Sequence, residues 1–398
     1  MRPPRTDRRT ALLAAVAANG VPFVGVALWD WSVAVLVHLY WFELGVLLLF
    51  ASVRALFAQR PAEFPKQQPI IGAFHDKYGG LPIPKTNLTI QVQSLVTLGV
   101  VPVLVVIWLF IGGVVFAGLG DSGDLSQAEL STLTLGVLAL LVSNCYSTAG
   151  YFLRREYEDV NAQMVVRSLL WPILVTAVAG IFGATVVNEG GSTAVLLVGV
   201  VFVKFCFDLV AVYRDKLRAF DESQSLDIGW SYDPPEKPFV DETFDGSVTT
   251  VRPKPSAVFA GGIVRGSSGE TVLFMVFIAL CLAAVFAFES VGGAGFVVAV
   301  AGVVLCVGAA LGIVDHSVRY LSMEYRIGVG KTGERSDIVG YDRILREPLW
   351  RIRGEHVADA EVKRGRVDRL LGTETVVLES DDRTVHLAHV SDTPIATD

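Results

Sequence analysis

The sequence lacks the features expected of a nucleic-acid-binding protein or of a small secreted one. It carries 33 Lys and Arg residues against 40 Asp and Glu residues, which gives a formal net charge of −7. A nucleic-acid surface needs a clustered excess of basic side chains. The four cysteines form no CxxC pair, so neither a zinc site nor a disulfide scaffold is predicted. We therefore expect no nucleic-acid partner, no metal and no cofactor.

Catalytic motifs are missing as well. No HExxH or GxSxG pattern occurs, and no Ser/His or paired-aspartate arrangement for intramembrane proteolysis is evident. These absences favour a protein that is not an enzyme.

Charge is scarce and apolar residues are abundant. Charged residues make up 18% of the chain and hydrophobic residues 52%, with a mean hydropathy of +0.51, which exceeds the apolar content of a typical soluble protein. Runs of about twenty apolar residues are long enough to cross a bilayer as helices. We place such runs at 10–29, 33–57, 95–119, 131–153, 164–187, 192–213, 271–289 and 293–314. The predicted fold is therefore an α-helical polytopic membrane protein with about eight transmembrane helices.

Basic residues lie in alternate connections between these runs. The N-terminal arm, the segment 58–94, Arg154-Arg155, the stretch 214–265 and the region after Asp315 hold nearly all of them. The positive-inside rule then predicts a multi-pass protein of the cell membrane with both termini in the cytoplasm. The lipid bilayer is its first expected partner.

Composition divides the chain into five parts. A six-helix transmembrane domain is predicted over 1–220, and a Pro- and Gly-rich cytoplasmic linker over 221–269. A two-helix transmembrane hairpin follows over 270–318, then a β domain over 319–391 and a tail over 392–398. Short β-branched or alternating runs such as Tyr325–Val329 and Thr384–Val390 predict antiparallel strands in that small cytoplasmic domain.

The C-terminal third resembles a known family. Arg319-Tyr320-Leu321-Ser322-Met323-Glu324-Tyr325, Glu347-Pro348-Leu349-Trp350-Arg351-Ile352 and Asp368-Arg369-Leu370-Leu371-Gly372-Thr373 follow two apolar helices. In this order they are similar to the bacterial and archaeal membrane-tethered pleckstrin-homology-like (PH-like) domain, over about 271–391. The resemblance implies a curved antiparallel sheet or barrel closed by a helix, and it brings no catalytic residues. No long amphipathic helix follows Val390, so the closing helix of that fold is in doubt here.

A basic cluster lies inside the β domain. Its members are Lys363, Arg364, Arg366 and Arg369. One hypothesis is a site for a lipid headgroup or a protein partner. The other is a solvated turn, because the domain also carries many acidic residues.

The N-terminal part resembles a family of uncharacterised prokaryotic multi-pass membrane proteins of unknown function. The resemblance is carried by Tyr40-Trp41-Phe42-Glu43 in the second span and by Lys204 with Asp208 in the sixth. Ionisable groups at such depth are expensive and usually functional. Together with Asn144 of the fourth span, Tyr40, Glu43, Lys204 and Asp208 form a candidate intramembrane polar site.

Two interpretations of this polar group stay open. It is a site for a proton, an ion or a small substrate, or it is a self-neutralising network that fixes helix packing.

Two functions follow from these alternatives. The preferred hypothesis is a membrane-tethered interaction or scaffolding protein acting on membrane or cytoplasmic proteins through the PH-like domain. The alternative is a transporter or membrane-embedded enzyme built around Glu43, Lys204 and Asp208. Few lysines and many Asp, Glu and Arg residues predict a salt-adapted, halophilic archaeal source.

Overall fold

The architecture was analysed in a computed structural model of the chain. The structure describes scattered residues between 12 and 28, and then 31–86, 88–119, 125–190, 193–223, 233–244, 246–287, 291–329, 337–380 and 383–391. The chain divides into two compact units. One comprises 1–62 and 83–236, and the other comprises 63–82 and 237–398.

The first unit is built from helices. They are α1 Val33–Leu56, α2 Val92–Leu98, α3 Val101–Leu119, α4 Gln127–Leu153, α5 Ala162–Asn188, α6 Thr193–Val212 and α7 Arg214–Ser223. Two short strands lie between α1 and α2, namely β1 Gly80–Pro82, which belongs to the second unit, and β2 Thr89–Gln91. The core of the first unit lies where α1, α3 and α5 meet, with Ala51, Ala55, Leu104 and Ile173 among its buried members.

Local sequence explains where these helices begin. The Ser32 hydroxyl accepts a hydrogen bond from the Val35 amide at the start of α1, and Ser126 and Glu129 form a capping box at the start of α4. The predicted span 95–119 is split into α2 and α3. Pro102 has no amide hydrogen to bond the carbonyl four residues earlier, so a continuous helix is interrupted just before it.

Five helices are long and apolar enough to cross a membrane, within the ranges that the structure describes. They are Val33–Leu56, Val92–Ala117, Gln127–Leu153, Glu270–Ala287 and Gly292–Tyr320. The second of these counts α2 and most of α3 together as one span. The predicted segments 164–187 and 192–213 are also helical, as α5 and α6. The first predicted span, 10–29, lies mostly outside the described residues. The total of eight therefore stays a prediction.

The second unit contains three helices, α8 Pro255–Ser267, α9 Glu270–Ala287 and α10 Val291–Tyr320. Helices α9 and α10 form a hairpin. We call α8 together with the C-terminal half of α10 the stalk. At 30 residues, α10 is about 45 Å long, longer than the ~30 Å hydrocarbon layer. Its C-terminal half packs against α8 with almost no side chain between them. A Cβ built on Gly266 would lie 2.1 Å from the Gly308 carbonyl oxygen, and one on Gly312 would lie 2.3 Å from that of Gly262.

Seven strands complete the second unit. They are β3 Ser247–Val251, β4 Met323–Val329, β5 Ile338–Asp342, β6 Glu347–Ile352, β7 Glu361–Lys363, β8 Glu374–Ser380 and β9 Arg383–Val390, with a short helix, α11 Arg366–Leu371, between β7 and β8. One antiparallel sheet has the order β3-β4-β5-β6 and the other β7-β8-β9. Tyr325 and Leu349 of the first sheet share one core with Val376 and Leu387 of the second. The predicted antiparallel β domain is confirmed at this level.

Two segments differ from the sequence prediction. The predicted linker 221–269 contains strand β3 and helix α8, and β3 pairs along β4 from Ser247↔Val329 to Val251↔Tyr325. The β domain thus includes residues that precede the hairpin, not only those after 319. The β-branched run Val357–Val362 predicts a strand, but the structure has a 3-10 helix at Gly354–Asp359 and a strand only from Glu361. The Gly354 amide at the start of this helix donates to the Asp337 carboxylate at 2.8 Å.

Candidate functional site

Three of the polar residues predicted within the helices, Tyr40, Glu43 and Lys204, meet at one contact between α1 and α6. Lys204 Nζ lies 2.5 Å from Glu43 Oε1, and their side chains are 26% and 19% exposed. Lys204 Nζ also lies 5.9 Å from the centre of the Tyr40 ring, within cation–π range. Tyr40 is one turn before Glu43 on the same face of α1. Three of the five predicted residues are therefore assembled, as an ion pair against an aromatic ring.

The other two residues differ from each other. Asp208 lies one turn after Lys204 on α6, close enough to Tyr40 for an electrostatic interaction. Asn144 is turned to its own helix, where its amide donates to the Leu140 carbonyl at 3.0 Å. Such a bond within α4 satisfies the donor without help from Glu43 or Lys204.

The polar side chains next to Asn144 bind a residue that the prediction omitted. Arg54, in the last turn of α1, donates to Thr148 Oγ1 at 3.0 Å and to Ser147 Oγ at 3.2 Å. The Tyr151 hydroxyl donates to the Arg54 carbonyl at 3.2 Å. The spacing of Ser147, Thr148 and Tyr151 on one side of α4 was the available signal.

A pair of tryptophans next to the ion pair joins α1 to α3. The Trp41 and Trp108 rings stack at 4.3 Å between centroids and 8° between planes. Each indole N–H donates to the other residue's carbonyl, at 3.1 Å and 2.9 Å. Gly45 and Gly112, each four residues after a tryptophan, leave the room for the rings. This reciprocal contact fixes α1 on both sides of Glu43.

The basic cluster of the β domain lies on β7, α11 and the turn between them. Two of its members have acidic neighbours: Lys363 Nζ lies 2.9 Å from Glu361, and Arg364 lies 3.0 Å from Glu374. These two cations are largely neutralised at short range. The cluster is therefore less basic than its sequence indicates.

The rest of the cluster lies beside an exposed apolar residue. Arg366 and Arg369 are exposed on α11, and Leu370, which directly follows Arg369 and lies one turn after Arg366, is 83% exposed. The Arg369 side chain donates to the Arg364 carbonyl at 3.2 Å, which orders it along the turn. We call Arg366, Arg369 and Leu370 the α11 tip.

A buried ion pair attaches the loop 63–82 to the β domain within the second unit. Lys77 Nζ contacts the Asp342 carboxylate and donates to Ser322 Oγ at 3.0 Å. Burial lowers the pKa of Lys77, and the Asp342 charge opposes that shift without cancelling it. Burial also opposes ionisation of Asp342, but the Lys77 charge and the hydrogen bonds from Lys77, Leu345 and Ser322 together outweigh it and lower the pKa of Asp342. No sequence pattern indicates this pair, because the two residues are far apart in the chain.

Asp315 and His316 lie near the C-terminal end of α10 and have different partners. Asp315 is an ion-pair partner of Arg319 at 3.0 Å and accepts the Ile70 amide at 2.8 Å. His316 is directed elsewhere, to His389 of β9. Within the described ranges, no three His, Cys, Asp or Glu side chains are grouped for a metal ion.

The comparison with protein families concerns the first unit. Residues 1–225 match the model of DUF6498, a family of unknown function. The chain belongs to this family. No curated protein and no solved structure matches the chain.

The DUF6498 region contains the Glu43–Lys204 pair, the Arg54 contacts and the Trp41–Trp108 stack. It ends before β3, so the stalk and the β domain lie outside the match. The predicted resemblance of the first six spans to an uncharacterised family is confirmed, and it brings no activity with it.

Proposed function

We propose that this DUF6498 protein is a multi-pass cell-membrane protein with both termini in the cytoplasm, whose C-terminal β domain is a membrane-tethered interaction or scaffolding module. The observation that carries the proposal is the order of the helices and strands along the chain in the second unit. Strand β3 precedes the α9–α10 hairpin and β4 follows it after a two-residue turn, so the hairpin is inserted within the β domain. A domain built this way is held to the membrane by both ends of the insertion.

The architecture of the domain supports the PH-like assignment. Its seven strands form a four-stranded and a three-stranded antiparallel sheet around one core. We propose that β3 is the first strand of a PH-like domain into which the hairpin has been inserted. The chain departs from the family pattern at the closing helix, because α11 lies between β7 and β8 and not after the last strand.

The α11 tip is the proposed contact surface. An exposed leucine next to two exposed arginines combines an apolar anchor with positive charge. Because Lys363 and Arg364 are paired with carboxylates, we favour a protein partner with an acidic rim over a lipid headgroup, which needs several unpaired cations.

Site-specific photo-crosslinking in intact cells tests this surface. We expect a photoreactive residue at Leu370 to give a discrete protein adduct that Arg366→Glu/Arg369→Glu weakens. A photoreactive residue at Ile344, which is 73% exposed at the β5–β6 turn, is the matched control. Equal adducts from both positions, or adducts to lipid alone, would count against the proposal.

The second candidate function is a transporter or membrane-embedded enzyme using Tyr40, Glu43, Lys204 and Asp208. The observation that favours it is the partial exposure of the Glu43–Lys204 pair. For an ion or proton site, Glu43→Gln and Lys204→Met would abolish flux or ligand binding while the chain stays folded. Equal loss of folding in both variants would assign the pair to helix packing.

A further inference from the structure

His389 has an unusual backbone position in the last strand. Val376 pairs with Leu387, while Glu374 pairs with Val390, so two residues of β9 face the single residue Thr375 of β8. This is a β-bulge, which redirects a side chain out of the ladder. His389 itself adopts φ 56°, a left-handed conformation that is uncommon for a residue other than glycine. Strain of this kind is retained where a particular side-chain direction is needed.

The redirected imidazole connects three elements. Its Nδ1 lies 2.6 Å from Asp368 Oδ1 on α11, and its Nε2 lies 2.9 Å from Nε2 of His316 on α10. All three side chains are buried. Helix α8 covers the contact with Gly261, where a Cβ would lie 2.6 Å from Nε2 of His389 and 2.9 Å from that of His316. The histidine contact therefore joins the β domain to the stalk in a space that only glycine leaves open.

Asp368 determines that Nδ1 of His389 carries a proton. Burial opposes its ionisation, but hydrogen bonds from Thr373 and His389 outweigh that effect and lower the pKa of Asp368. The carboxylate is thus ionised at neutral pH and accepts the Nδ1–H of His389. The second nitrogen of His389 is left to share a proton with His316.

The contact between the two Nε2 atoms has room for one hydrogen. With one imidazole donating and the other accepting, the bond is made. When both rings are doubly protonated, two N–H groups and two positive charges face each other at 2.9 Å. His316 Nδ1 is buried without a hydrogen-bond partner, so no neighbouring group compensates the second charge. Full protonation must separate β9 from α10.

The charged groups around the pair do not remove this conflict. On α10, Asp315 is shared between Arg319 at 3.0 Å and Arg265 of α8 at 3.8 Å. The Tyr320 ring lies against His316. On the other side, Lys254 at the start of α8 donates to the Leu371 carbonyl of α11. The surroundings of His316 are balanced or positive, and Asp368 is already bonded to His389.

We propose that His316 and His389 form a proton-operated latch between the stalk and the β domain, closed when they share one proton and released when each ring carries two. The latch also positions the α11 tip, because Asp368 belongs to α11. Release would free Lys254, whose amide donates to the His389 carbonyl at 2.8 Å, and with it the first turn of α8. The proposal goes beyond the interaction role. Its test measures exchange and not binding, so its failure would leave the proposed partner surface untouched.

Hydrogen–deuterium exchange of the full-length protein in detergent tests the latch. Exchange is measured at pH 7.5 and at decreasing pH, corrected for the intrinsic rate, with the β5–β6 region as internal reference. Below about pH 6.5, the ordinary pKa of histidine, we expect residues 254–262 and 383–391 to gain exchange. Each further pH unit favours the open state about tenfold.

Three variants decide the cause of the change. His316→Gln keeps a hydrogen-bonding group that does not titrate, so the pH dependence should disappear. His316→Lys carries a fixed charge and should be open at pH 7.5. His386→Gln, on the same strand but exposed, should behave like the unmodified protein. If His316→Gln fails to fold, as judged by the β5–β6 reference, His389→Gln replaces it. Unchanged pH dependence in the glutamine variant, or none in the unmodified protein, would overturn the latch.

Discussion

At the scale of single residues, two tryptophans of the first unit pack tightly on two glycines. A Cβ at Gly45 would meet the Trp108 ring at 2.5 Å, and one at Gly112 would meet Trp41 Nε1 at 2.6 Å. We predict that Gly45→Ala and Gly112→Ala each destabilise the protein by about 1–3 kcal/mol, since one inserted methyl must displace a stacked ring. The measurement is the thermal unfolding of the chain in detergent.

Gly113 provides the control for this prediction. It is next to Gly112 in α3, and a Cβ there would have no neighbour within 4 Å. Gly113→Ala should leave the melting temperature unchanged or raise it slightly, because alanine favours the helix. Equal destabilisation by the alanines at 112 and 113 would contradict the role given to the tryptophans.

The Lys77–Asp342 pair makes a second prediction at this scale. Removing one partner leaves the other charge buried, so Lys77→Met or Asp342→Leu alone should cost about 3–5 kcal/mol. The double variant should recover much of that loss. A double-mutant cycle on denaturant unfolding of the β domain measures the coupling, and additive single effects would show that the pair is not coupled.

Two aspartates of the β domain, Asp342 and Asp368, determine how sensitive the domain is expected to be to acid. The pKa values of Asp342 and Asp368 are lowered in the folded protein, so their contribution is complete above the ordinary aspartate pKa of about 3.9. It is lost as the pH falls through the lower folded values. Acid unfolding of the domain should therefore lie below the pH range in which the histidine latch opens.

Part of the candidate polar site follows from the helical period. Tyr40 and Glu43 were expected on one face of a helix because they are three residues apart, and Lys204 was expected as a charge that could neutralise Glu43. The structure places Lys204 against both residues, whereas the Asn144 amide donates within α4. His389 gave no signal, since a β-bulge is not visible in the alternation of Val385 and Leu387.

At the scale of helices and strands, β3 decides where the β domain begins. Val251 is buried in its core, and β3 pairs with β4 from Tyr325 to Val329, five of the seven residues of that strand. We predict that a fragment of residues 319–391 is unfolded or aggregated, because β4 would expose a long unpaired edge. Adding residues 246–254 through a flexible linker should restore a folded domain.

Circular dichroism and gel filtration of the two fragments check this prediction. The fragment with β3 should be monomeric with cooperative unfolding, and Val251→Asp should abolish that gain. A stable, monomeric 319–391 fragment would show that β3 is dispensable.

Prediction of elements was best where one physical signal dominates. Long apolar runs gave the helices, and alternation gave most of the strands. The segment around β3 and α8 was interpreted as a linker because its prolines mark breaks. In the structure Pro253 forms an isolated bridge to Val390 and Pro255 occupies the first turn of α8, a position where proline is compatible with a helix.

At the scale of the whole molecule, the exposed surface of the helices points to lipid. Helices α4 and α9 are almost wholly uncovered by protein, because only 6% of the most apolar 18-residue stretch of each helix is buried. Leu135, Val142, Phe274 and Phe277 are each more than half exposed. Apolar surface on this scale is not stable in water, which indicates a membrane protein.

We propose that these helices cross the membrane and that the β domain lies in the cytoplasm. A direct test is labelling of single cysteines with a membrane-impermeant maleimide, in a background lacking the four native cysteines. We expect that Ser126→Cys reacts in intact cells, and that Arg366→Cys reacts only after the membrane is permeabilised. Labelling of both positions from the same side, or recovery of the chain in the soluble fraction without detergent, would contradict it.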